Sequence, residues 1–163
     1  MATIDLAGGG AAYKTVGRVP YTVQKEVDFA AAVTAKGSAL AQADVIQALD
    51  LPANAWILCA GAKVTEAHAG TSTDLTLDIG LTGGNTDFVA DGFDFDAASV
   101  GDETAPVVAE LPLKVGASAD TIDILLATMT GTTTGGKIIV WATIVEGPSA
   151  GYGADEVDRD QLA

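Results

Sequence analysis

The sequence predicts an all-β protein: an antiparallel β-sandwich, jelly-roll topology being the leading arrangement, with an extended N-terminal arm and a short acidic C-terminal tail. Three observations carry this. Apolar residues recur with a period of two in several segments. Clusters of Gly, Thr and Asp separate those segments at short intervals. No stretch of useful length shows the 3.6-residue spacing of an amphipathic helix. The chain has 163 residues, 48% hydrophobic and 18% charged, enough for one domain with its own core.

Taken in order, residues 1–20 contain Gly8-Gly9-Gly10 and read as an arm. Val19, Tyr21, Val23, Val27 and Phe29 then occupy odd positions, a strand pattern that Lys25 interrupts. The small-residue stretch TAKGSALAQA leads into DVIQALDLP, read as a strand because Pro52 pushes Leu51 towards extended geometry. AWILCAGAKVTEA is a long strand that ends in a turn at HAGTST. TDLTLDIGL alternates: Leu75, Leu77, Ile79 and Leu81 face one way, Asp74, Thr76 and Asp78 the other. The short turn-rich spacer between these two strands predicts a hairpin.

The segment from Thr86 to about Pro106 is acidic and irregular, and APVVAELPLKVGASA, with two prolines, is at best an edge strand. DTIDILLATM puts Ile122, Ile124 and Leu126 on one face and opens a second predicted hairpin. Its partner, GGKIIVWATIVE, is apolar on both faces. Ile138, Val140, Ala142 and Ile144 lie opposite Ile139, Trp141, Thr143 and Val145. A two-sided strand is either central in a two-sheet core or covered on its outer face by another subunit. The second option makes Ile139, Trp141, Thr143 and Val145 the candidate subunit interface. The count is seven or eight strands: an arm over 1–20, a sandwich over 21–146 and a tail over 147–163.

Twenty-two acids against eight bases leave a net charge of −14. Phosphate backbones and anionic membrane surfaces repel such a chain, so neither nucleic acid nor membrane is an expected partner. No run of about 18 apolar residues occurs. MATIDLAGGGAAYK lacks a basic region followed by an apolar one, so no secretion signal is expected. Cys59 is the sole cysteine and sits in an apolar run, where a buried inert thiol is expected.

Two near-matches to catalytic motifs fail on chemistry. GTTTGGKI has the glycine and lysine spacing of a phosphate-binding loop, but Ile138 stands where a magnesium-binding hydroxyl is required, and a strand follows in place of a helix. GPSAG spells a nucleophile elbow around Ser149, yet the sole histidine, His68, precedes it and only twelve residues follow Gly151. His68 falls in a predicted turn. Asp87, Asp91, Asp94 and Asp96, with Asp102 and Glu103 beyond them, could offer oxygens to calcium, but their spacing matches no EF-hand loop. The simpler reading is a solvated loop anchored by Phe88, Phe93 and Phe95. Trp56 and Trp141 lie within apolar strands and are expected in the core. No cofactor and no enzymatic activity are expected.

From DVIQALDLPANAWILCAGAKVTEA through TSTDLTLDIGLTGGNTDFVADGFDFDAASVG to ADTIDILLATMTGTTTGGKIIVWATIVE, residues 44–146 resemble small virion structural proteins of tailed bacteriophages, of the head decoration (capsid cement) type. The resemblance implies a homotrimer bound to the major capsid protein on the outside of the virion, bridging neighbouring shell subunits, with no catalytic residues. A carbohydrate-binding or tail-associated adhesion module is the alternative.

Overall fold

The computed structural model describes residues 19–81, 84–104 and 110–146. Alternation dominates what forms. β1 (Tyr21–Asp28), β3 (Trp56–Gly70), β6 (Leu113–Lys114) and β8 (Thr133–Val145) make one antiparallel sheet, in the order β1-β8-β3-β6. β2 (Val45–Leu51), β4 (Asp74–Leu81), β5 (Ala90–Asp94) and β7 (Asp120–Thr130) make the other, in the order β2-β7-β4-β5. The predicted β-sandwich is the observed fold, with one short helix added. The two inner faces meet in a single core. Leu75, Leu77 and Ile79 from β4, Ile122, Ile124 and Leu126 from β7, and Ile138, Val140 and Ile144 from β8 are fully buried there. These are the residues that the period-two pattern selects.

Both predicted hairpins are absent. β3 and β4 belong to opposite sheets, as do β7 and β8. β3 pairs with β8, and β4 pairs with β7. The four strands therefore form one antiparallel ribbon bent over the edge of the sandwich. The bend is stitched by backbone donors: Thr71 N and Ser72 N both reach Thr132 O, at 2.9 and 3.1 Å, and Thr73 N reaches Thr130 O at 3.2 Å. Local sequence reports turn chemistry at both connections but not which strand each one hands over to. Gly131 shows why the turn is tight: its φ is +98°, and a Cβ there would lie 2.5 Å from Thr71 O.

The strand pattern through Phe29 is cut one residue short. Asp28 caps a helix, α1 (Phe29–Lys36), by accepting from Ala30 N at 2.8 Å and Ala31 N at 3.3 Å. Gly37, at φ +72°, closes it in the left-handed region. Three consecutive alanines favour the helix, yet Phe29 is its only buried residue, so no amphipathic stripe announces it. Phe29 stacks on Phe95 with ring centroids 4.8 Å apart, and His68 meets the edge of Phe95 at 5.8 Å. That cluster plugs the end of the sandwich where β8 begins. His68 consequently lies in β3, not in a turn, with Nε2 3.1 Å from Thr133 Oγ1.

Candidate assembly surface

The glycine-rich motif GTTTGGKI is used up by the fold. Gly131 and Thr132 make the bend, and Thr133 onwards is β8. No helix follows to supply a cradle of amides. Ser149 lies outside the described residues, as do residues 1–18 of the predicted arm and 147–163 of the tail.

The acidic loop spends three of its carboxylates on backbone amides, two of its own and one of β4. Asp94 accepts from Ala97 N at 3.1 Å, Asp102 from Ser99 N at 2.8 Å, and Asp96 from Leu75 N. Asp91 is exposed on β5. Among the described residues no group of three His, Cys, Asp or Glu side chains is placed to hold a metal ion. Phe88 and Phe95 are fully buried, so they anchor the segment as expected. No helix among the described residues is long and apolar enough to cross a membrane.

The outward face of the β1-β8-β3-β6 sheet is different. Ile139, Trp141, Thr143 and Val145 alternate with the buried inner row of β8 and are each half-buried. Among the described residues their cover comes from the flanking strands: Trp141 sits between Gln24 and Gly61, Ile139 between Glu26 and Lys63, and Thr143 between Thr22 and Cys59. Gly61 has no side chain because the Trp141 indole lies across it; a Cβ there would come within 2.7 Å of the ring. A lone glycine inside a strand marks such a close approach, the one sequence signal for this packing that the pattern reading passed over.

β3 contributes two residues that sequence placed wrongly or not at all. Trp56 is 41% exposed beside Val145, not in the core, and Leu58 is 40% exposed. With Ile57 buried, simple alternation turns Trp56 and Leu58 outward. The register shift between Ile57 and Cys59 marks a bulge, whose extra residue reverses the alternation beyond it, so that Ala60 is buried. Cys59 follows onto the outward face, half-buried rather than sealed in the core. The result is an apolar stripe along β3 and β8 that no described segment covers.

Charge is divided between the two sheets. Every lysine carried on a strand lies in β1, β3, β6 or β8: Lys25, Lys63, Lys114 and Lys137, against Glu26, Asp28 and Glu66. β2, β4, β5 and β7 carry no basic residue. They hold Asp50, Asp74, Asp78, Asp91 and Asp94 at exposed or half-exposed positions, with Asp120 at one end and Asp123 buried. On the first sheet the charges are paired across strands, Lys63 with Glu103 at 2.9 Å and Lys137 with Glu66 at 3.0 Å. Glu66 in turn holds the Lys137 ammonium above its usual pKa.

At the end of this sheet where β1 starts and β8 stops, the Tyr21 hydroxyl donates to Glu146 Oε1 at 2.7 Å. Partial burial, then this bond and the carboxylate's charge, push the phenol to about 12. A raised acid pKa means that the fold favours the neutral phenol, so this group's contribution to stability is fully present below the ordinary tyrosine range of about 10. That contribution is lost as pH rises through the folded value. A tyrosinate absorbance titration should therefore show one of the three tyrosines ionising about two units late, and Tyr21→Phe should remove that late component.

No protein-family model matches this sequence, and no curated protein matches it significantly. The fold does have solved counterparts. A chain of the cyanophage Pam1 capsid asymmetric unit is similar with a TM-score of 0.55 at 17% identity, over 90% of this chain and 100% of that one. A chain of the capsid of Ralstonia phage GP4 is similar with a TM-score of 0.57 at 18% identity, over 80% of this chain and 86% of that one.

Proposed function

We propose that this chain is a structural protein of a tailed-phage virion: a head decoration protein that binds the outside of an assembled capsid as a homotrimer and bridges neighbouring copies of the major capsid protein. The observation that carries the reading is the strand order. Sheets ordered β1-β8-β3-β6 and β2-β7-β4-β5, built around one bent ribbon, support a jelly roll, an eight-stranded architecture used by viral capsid domains. Two chains from phage capsid structures share the fold over most or all of their length. The apolar stripe that no described segment covers supports a protein that works by contact, and no catalytic role is part of the reading. A chain of net charge −14 decorating the outer surface keeps that charge away from packaged nucleic acid.

Such a protein stabilises a shell by mass action, because it binds the assembled lattice and not the free subunits. The test is to mix it with empty capsid shells that lack it and to sediment the mixture. Saturable co-sedimentation and a higher shell disruption temperature are the expected results. Protein left wholly in the supernatant, with the shells unchanged, would overturn the proposal.

A further inference from the structure

We infer that the outward face of the β1-β8-β3-β6 sheet is where copies of this chain meet, each turning its apolar stripe towards the assembly axis and its aspartate-bearing sheet away from it. This deepens the assembly reading and rests on it for the presence of more than one copy. Charge selects the occupant. Two copies that each carry −14 approach against repulsion, and like charges brought into register across an interface are strongly unfavourable. The outward face of the β2-β7-β4-β5 sheet has aspartates and no base, so two such faces repel each other.

The other face is the complement of itself. Leu58 and Trp141 give it an apolar middle that Trp56 and Val145 extend to the end of the sheet, where Lys114 of the edge strand flanks Trp56. The rim holds both signs in exposed pairs, Lys63–Glu103 and Lys137–Glu66, which a second copy can match by exchanging partners. Aromatic residues at the centre of a face whose charges are confined to the rim are the usual composition of a contact surface. A strongly basic partner would find its attraction on the opposite sheet, so a second copy fits this face better.

A salt signature follows from that assignment. The contact is apolar and its repulsion comes from elsewhere on the molecule, so sodium chloride should tighten it as the Debye length shrinks from about 10 Å at 0.1 M to about 3 Å at 1 M. Light scattering on the full chain reads this directly. We expect an oligomer whose dissociation constant falls as salt rises. Leu58→Glu and Trp56→Glu, at positions already about two-fifths exposed, should reduce the mass to that of one chain, with far-UV circular dichroism unchanged. Asp91→Lys on the opposite sheet should leave the mass unchanged.

A contact that salt loosens, one that survives both glutamate variants, or one that is lost in Asp91→Lys, would overturn the assignment. Shell sedimentation keeps the two proposals separate. A wild-type chain that is monomeric yet co-sediments with shells refutes the self-docking face and leaves the decoration reading standing. An oligomer that obeys the salt and glutamate predictions but ignores shells refutes the decoration reading and leaves the face.

Discussion

Phe95→Ala is expected to lower unfolding stability by about 3–5 kcal/mol, the usual cost of removing a buried aromatic ring. Phe95 is fully buried immediately after β5 and stacks on Phe29. On its other side it abuts Gly136, where a Cβ would sit 2.9 Å from the ring tip, and it meets the edge of His68. The ring thus joins the end of one sheet to the start of the helix and to two strands of the other sheet. Those strands are already held by the bent ribbon and cannot easily close on the cavity. Chemical denaturation measures the effect as a lower midpoint at unchanged slope. Phe95→Leu, which refills most of the volume, should lose clearly less. Equal losses for the two variants would show that ring stacking with Phe29, not cavity formation, dominates.

Gly131→Ala should cost at least about 2 kcal/mol, because two penalties coincide. Its φ of +98° lies in a region that side chains enter only at about 1–3 kcal/mol. The added methyl would also lie 2.5 Å from Thr71 O and 3.1 Å from Ser72 Cα. These atoms are backbone, in the connection that Thr132 O holds through two hydrogen bonds, so neither side of the bend can yield alone. Gly92→Asn is the control. Gly92 has φ +64° with nothing within 4 Å of a Cβ, a left-handed position that asparagine tolerates. The same denaturation experiment should find Gly92→Asn close to wild type. A mild Gly131→Ala would mean that the bend tolerates far more movement than its hydrogen bonds imply.

The bend matters beyond stability, because it lets strands adjacent in sequence serve different faces. β3 and β8 carry the apolar stripe and the lysines. β4, continuous with β3 through one connection, carries Asp74 and Asp78 on its outward side, and β7, continuous with β8 through the other, carries no base. A true hairpin between β3 and β4 would have mixed these two populations on one sheet. Keeping them apart is what the proposed self-docking face requires of a highly acidic chain.

Sequence by itself determined the fold class and the core. The alternation of Leu75, Leu77 and Ile79, and of Ile138, Val140 and Ile144, dictates which side of each strand is buried, because the side-chain period of a strand is two whatever it pairs with. It also exposed the second apolar face of β8, visible in Ile139, Trp141, Thr143 and Val145 before any pairing was known. Helix α1 escaped notice, since eight residues with one buried side chain leave no periodic trace. Only the tertiary structure decided partnership. Pairing β3 with β8 and β4 with β7 depends on contacts more than forty residues apart, which local turn chemistry cannot express. The bulge after Ile57 likewise reversed the alternation so that Cys59 faces outward and Ala60 inward, while Trp56, between Lys114 and Val145, shares the outward side. The segregation of charge is the same kind of fact: the lysines and aspartates are readable along the chain, but they become two faces only when the ribbon folds over.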